Sequence, residues 1–244
     1  MVKELLANKD IQVNLQCNDG KTPLHTAAYK GHIEVVKILL ANKGIKLNLE
    51  DEYDWTPLHM AADMGHLEVV KELLANKGIK LNLQHNNGWT PLYIAAQEGH
   101  VKVVKELLAN KDIKVNLQCN DGETPLYIAA ENSHIKVVKE LLANKGMKLN
   151  LQHKAGMTLL HMAARIGHLE VVKELLANKD IKVNLQSKNG HTPLHMAAYN
   201  GHVEVCKALI QDERIATKIK NTLGKTPLDL AKNNNHDICI NLFK

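Results

Sequence analysis

The string Thr-Pro-Leu begins at Thr22, Thr56, Thr90, Thr124, Thr192 and Thr226, and Thr158-Leu-Leu fills the one gap, so every step is 34 residues. Other columns keep the same step. Gly-His pairs stand at Gly31-His32, Gly65-His66, Gly99-His100, Gly167-His168 and Gly201-His202, and Val-Val-Lys-Glu-Leu-Leu-Ala-Asn-Lys recurs at 69–77, 103–111, 137–145 and 171–179. A fixed period of this length marks a linear array whose units bury their apolar faces against one another. Six whole periods, 19–52, 53–86, 87–120, 121–154, 155–188 and 189–222, lie between a partial unit at 1–18 and a shorter, capping unit at 223–244. No linker or low-complexity stretch interrupts them, so a single array over 1–244 is expected.

Residues 19–52 show the plan of one unit. Asp19-Gly20 is a tight-turn dipeptide. Thr22 can cap a helix and Pro23 suits its first turn, so a first helix is predicted from Pro23 to Lys30, stopping at Gly31. A second helix is predicted over about 33–42, with Ile33, Val36, Leu39 and Leu40 on one stripe. After Gly44 the alternation Ile45-Lys46-Leu47-Asn48-Leu49 predicts an extended lead into the next turn. Helices below roughly 12–15 residues are marginal alone, so each pair must pack on its neighbours. The Ala27-Ala28 column permits the close approach this needs. With 45% hydrophobic but only 3% aromatic residues, the core has to be aliphatic.

A 34-residue period also describes tetratricopeptide repeats, but those carry Trp and Tyr inside the first helix and Pro late in the second. The unit here, Asp-Gly-x-Thr-Pro-Leu-His-x-Ala-Ala-x-x-Gly-His-x-x-Val-Val-Lys-x-Leu-Leu, resembles the ankyrin repeat in seven in-phase copies over essentially the whole chain. The fold expected from this resemblance is mainly α, a solenoid of stacked helix-turn-helix units with projecting turn or hairpin fingers. The usual unit has 33 residues; the extra one falls in the loop after the second helix, where insertion is cheap. Departures are local. Asp54 and Ser133 stand where Gly is usual, Leu159 replaces the first-turn Pro, and Asp229 replaces the column His, with Asn233-Asn234-Asn235 a polar finish. A non-Gly residue in a left-handed conformation costs roughly 1–2 kcal/mol, so the fourth and fifth repeats are expected to be the softest. Val2–Asn8 reads as a second helix whose first-helix partner is missing, which suggests either a fragment of a longer protein or an exposed edge.

Catalytic motifs are absent: there is no HExxH, GxSxG or GxGxxG. Gly20-Lys21-Thr22 and Gly224-Lys225-Thr226 lack the earlier Gly of a phosphate loop, with Leu15 and Ile219 in its place, and His32-Ile33-Glu34 lacks the Pro-Cys-x-x-Cys of zinc deaminases. Cys17, Cys119, Cys206 and Cys239 form no CxxC, and reduced thiols are expected. Of 14 histidines, His25, His59, His161 and His195 share one column, and His32, His66, His100, His134, His168 and His202 another. Column members stand one repeat apart, roughly 10 Å, too far to converge on one ion. They are read as structural hydrogen-bonding rings, with no metal and no cofactor.

The ankyrin resemblance implies a non-enzymatic module that binds a protein through turn tips and first helices on its concave side. Comparison between copies points the same way, because stacked units need matching packing surfaces but not matching tips. The column before Thr varies as Lys21, Trp55, Trp89, Glu123, Met157, His191 and Lys225. The pair after Ala-Ala varies as Tyr29-Lys30, Asp63-Met64, Gln97-Glu98, Glu131-Asn132, Arg165-Ile166 and Tyr199-Asn200. Trp55 and Trp89 are the two tryptophans of the chain and, with Tyr53 and Met64, are expected to form an exposed apolar patch. Glu50, Asp51, Glu52, Asp54 and Asp63 surround it, whereas Lys154, Arg165 and Lys188 occupy comparable places later. The N-terminal half is therefore expected to receive a basic or apolar segment and the C-terminal half an acidic one.

Rows of Lys at 37, 71, 105, 139, 173 and 207, and at 43, 77, 111, 145 and 179, raise the alternative of an anionic partner. Glu72, Glu106, Glu140 and Glu174 follow the first row residue by residue, which marks a solvated helix face and argues against nucleic acid. No apolar run approaches the roughly 20 residues of a membrane span, so no membrane insertion is expected. The reading is an intracellular protein, monomeric, with end-to-end contact conceivable through its uncapped N-terminal helix. A resident scaffold, a targeting segment of a larger protein and a host-directed bacterial effector acting in host cytosol all fit the sequence.

Overall fold

Thr22 begins the regular structure by accepting the His25 N–H on its hydroxyl, while its own N–H donates to His25 Nδ1. This reciprocal cap and Pro23 start α1 (Pro23–Tyr29), and the chain passes through Gly31 in a left-handed conformation into α2 (Ile33–Leu40). A computed structural model describes residues 12–243, and the pattern recurs throughout them. The elements are α3 (Pro57–Asp63), α4 (Leu67–Leu74), α5 (Pro91–Gln97), α6 (Val101–Leu108), α7 (Pro125–Glu131), α8 (Ile135–Leu142), α9 (Leu159–Ile166), α10 (Leu169–Leu176), α11 (Pro193–Tyr199), α12 (Val203–Ile210), α13 (Pro227–Asn233) and α14 (Asp237–Asn241). The helix predicted at Val2–Asn8 lies outside the described residues.

Contacts divide the chain into two units, Met1–Asn120 and Asp121–Lys244. In the first, α1 packs on α3 and α3 on α5, with α2, α4 and α6 layered behind them. In the second, α7, α9, α11 and α13 form one layer and α8, α10, α12 and α14 the other. Each unit is a helical-repeat stack. The Ala pairs lie fully inside, along with Leu58, Leu92, Leu126, Leu160, Val70 and Val138. Small Ala side chains bring first helices together, and Leu and Val from both layers fill the space between.

The segment read as extended is instead turned. Residues 47–48 form a turn, and no strand occurs among the described residues. Asn48 explains the difference: its Oδ1 accepts from Lys80 N–H at 2.8 Å and its Nδ2 donates to Gly78 O at 2.8 Å. Asn14, Asn82, Asn150 and Asn184 make the same pair of bonds to the following repeat. The alternation that resembles a strand is thus an Asn ladder beside buried Leu81, Val115 and Val183. Fingers close similarly without strands: Asp51 N–H donates to Trp55 O, and Glu52 N–H reaches back to Asp19 O.

Two histidine columns fasten the stack. Backbone N–H groups only donate, so the Thr22 bond leaves His25 Nδ1 unprotonated, and Nε2–H donates 2.9 Å to Trp55 O of the next repeat. His59, His161 and His195 do the same toward Trp89, His191 and Lys225 carbonyls. In the second column His66, His100 and His202 donate through Nε2 to the carbonyls of Tyr29, Asp63 and Arg165. His236 does so to Tyr199, which adds it to that column. These rings explain the glycines: a Cβ on Gly65 would stand 2.7 Å from the His100 ring. Ser133, at φ 63, substitutes its hydroxyl, which meets His168 Nε2 at 2.7 Å. Asp54 and Asn235 also take positive φ, and Asp229 replaces the capping His by accepting Thr226 N–H on its carboxylate.

Two outcomes follow from these contacts. Gly65→Ala meets both a left-handed φ and the His100 ring, whereas Gly224→Ala meets nothing within 4 Å; chemical denaturation should show a loss of about 2–3 kcal/mol for the first and about 1 kcal/mol for the second. Burial holds His25, His195, His59 and His161 below the ordinary 6.5, the last two at about 4. The unfolded chain therefore binds protons first, so stability should be level above pH 6.5 and decline as pH falls toward 4. His59 alone contributes on the order of 3 kcal/mol of that decline, readable as the urea midpoint against pH.

Candidate functional site

The variable columns occupy the finger turns and the ends of the first helices. In the first unit Tyr29, Tyr53, Met64 and Glu98 are exposed, while Lys21, Trp55, Asp63, Trp89 and Gln97 are partly buried. In the second, Arg165 and Tyr199 are exposed, and Glu123, Glu131, Met157, Ile166 and His191 are partly buried.

Five of these residues meet in one place. Lys21, Tyr29, Tyr53, Trp55 and Asp63 line a cleft of about 420 Å³, together with Thr26, Asp51 and Met60. Tyr29 and Asp63 project from the ends of α1 and α3, and Tyr53 and Trp55 from the finger between the two repeats. Asp51 shapes that finger: its Oδ1 accepts the N–H groups of both Tyr53 and Trp55, at 3.0 and 2.9 Å. The same column performs this task elsewhere through His85 Nδ1, His153 Nδ1, Ser187 Oγ and Asn221 Oδ1.

Trp55 and Trp89 do not form the open patch expected of them. His85 lies between the two indoles, stacked on Trp55 at 5.5 Å between ring centroids and tilted against Trp89 at 5.0 Å. Trp89 in turn stacks on Tyr93 at 5.4 Å. The indoles are part of a ring ladder running from one repeat to the next, and the exposed apolar surface is carried by Tyr29, Tyr53 and Met64. His85 is the residue that sequence reasoning missed. Its signal was its position in the finger column with Asp51 and Asn221, both of which are turn-forming residue types.

Charge is uneven between the units. In the first, partial burial and Glu98 raise the Asp63 carboxyl above its ordinary range. The hydrogen bond that the Tyr53 phenol donates to Glu52, with the charges of Glu52, Asp19 and Asp51, raises that phenol above its ordinary range. In the second, Arg165 pairs with Glu131 at 3.1 Å and Lys154 with Asp121 at 3.4 Å. Two of the three cations expected to attract an acidic segment thus already have carboxylate partners.

A family model described as "Ankyrin repeats (3 copies)" matches residues 1–85, 77–153, 143–219 and 160–244. The chain belongs to the ankyrin-repeat family. Ankyrin repeats are generally protein–protein interaction modules, typically without enzymatic activity, and they bind other proteins. A comparison with curated proteins finds no match. Among the described residues, no helix of this ankyrin-repeat chain is long and apolar enough to cross a membrane.

The ring ladder has a direct readout. His85→Ala should open both indoles to water and shift tryptophan emission to longer wavelength, with the helical circular dichroism unchanged. An unshifted emission maximum would show that His85 does not cover them.

Proposed function

We propose that this ankyrin-repeat chain binds a protein partner through its finger tips and the ends of its first helices, the concave side in this family. The observation that carries the reading is the cleft between the first two described repeats, where five freely varying positions converge on exposed aromatic surface. Tyr is enriched at interface hot spots, and a concave apolar site with a few polar groups is the usual form of a binding site. We further infer an intracellular setting and action as a scaffold or targeting module.

A nucleic-acid partner is disfavoured by the opposite layer of helices. Lys37, Lys71, Lys139 and Lys173 each approach a glutamate within 4.0 Å. Such exposed pairs add little stability, but they leave a surface of mixed sign rather than a track for phosphates.

Tyr29, Tyr53 and Met64 are exposed, so a Tyr29→Ala/Tyr53→Ala/Met64→Ala variant should fold as the parent does. With both proteins as bait in cell lysate, the parent should retain partners that the variant releases. For a partner so found, each Tyr→Ala change should weaken binding by about 1 kcal/mol or more. Identical retention by the two baits would refute the proposed surface.

A further inference from the structure

Within one column, the two units treat their carboxylates differently. Glu131 at the end of α7 is paired with Arg165, 34 residues on, at 3.1 Å. Asp63 holds the equivalent place at the end of α3, and its column neighbours are Tyr29 on one side and Gln97 on the other. Neither carries a positive charge, and no ion pair engages Asp63 among the described residues. Its carboxyl is raised by partial burial and by Glu98, against a smaller opposing effect of His100. The first unit therefore has the acceptor of the Glu131–Arg165 pair without the arginine.

The surroundings fit the missing group. Tyr29, Tyr53 and Trp55 line the same 420 Å³ cleft as Asp63, with Met60 beside them. Aromatic faces attract cations, and a guanidinium can stack on a ring while making two parallel bonds to a carboxylate. One such contact already exists in the chain: Lys30 Nζ stands 5.6 Å from the Tyr29 ring centroid. Exposed Glu50, Glu52 and Asp54 add negative charge at the finger. Lys21 is the single opposing cation in the lining.

We propose that this cleft receives an arginine side chain from an extended segment of the protein partner, its guanidinium on Asp63 and its stem among Tyr29, Tyr53 and Trp55. The proposal rests on the partner-binding reading and names the chemistry of that partner. Arginine supplies at Asp63 what Arg165 supplies at Glu131.

The chain has two tryptophans, so its ¹⁵N spectrum carries two indole signals, assignable with Trp55→Phe. The probe is a capped Gly-Ser-Arg-Ser-Gly peptide at millimolar concentration, beside the same peptide with Gln for Arg. The arginine peptide should shift the Trp55 indole signal and leave that of Trp89 in place, and the glutamine peptide should shift neither. Asp63→Asn should weaken the arginine response about tenfold, and Lys21→Gln, which removes the competing cation, should strengthen it. No Trp55 shift, an equal shift with the glutamine peptide, or a response untouched by Asp63→Asn would overturn the proposal. The broader reading fails separately: a partner released by the Tyr29/Tyr53/Met64 variant but indifferent to Asp63→Asn removes only the arginine. An arginine response without any partner held by the parent bait removes only the interaction surface.

Discussion

Helices of seven or eight residues leave about half of their backbone groups without an internal partner, and in most first helices of the described residues a histidine from the same or an adjoining repeat bonds one such group. The ring at the start of the first helix closes its own cap through Nδ1 and donates through Nε2 to the next finger. The ring before the second helix donates back to the end of the preceding first helix. The second-column bonds satisfy carbonyls at the ends of first helices, the first-column bonds add a second donor to a finger carbonyl, and both tie one repeat to the next. Histidine suits this because a neutral imidazole offers one acceptor and one donor on opposite sides of a rigid ring.

That dependence carries a chemical consequence. A ring whose Nδ1 must accept a backbone N–H cannot be protonated without breaking the cap, and burial disfavours the charge as well. Tyr93 and Tyr127 take the same place in two repeats and avoid the conflict, since a phenol gains no positive charge in acid. Asp229 meets the capping need with a carboxylate where no further repeat is stacked on it in the described residues. Gly31, Gly65, Gly167 and Gly201 are bound to the same device: the space beside their Cα atoms is filled by the next histidine ring.

Because the staples hold the repeats of each unit in step, whatever stands in the variable columns of that unit is brought to a repeated spacing. The chemistry at the finger side then depends on which types adjoin. A carboxylate beside an arginine gives a satisfied pair, as at Glu131 and Arg165. A carboxylate between tyrosine and glutamine, as at Asp63, has no cation beside it in its own column. Likewise two indoles one repeat apart do not make an open patch when a histidine of the intervening finger fits between them.

The period, the helix pairs, the glycine stops and the aliphatic core were legible in the sequence, because each rests on local chemistry repeated in register. Thr-Pro starts a helix and Gly ends it whatever lies nearby, and several copies in register make the pattern unambiguous. The variable columns were legible for the same reason in reverse. Contacts across a repeat boundary were decided only by tertiary structure. The Asn column looks like strand alternation until its bonds to the next loop are seen, and His85 looks like a turn residue until it lies between Trp55 and Trp89. A one-dimensional pattern records which residues recur, but the direction of a ring or carboxylate is set by the neighbour packed against it. The clustering of Tyr29, Tyr53 and Trp55 with Asp63, which no ion pair engages among the described residues, belongs to that second kind of information.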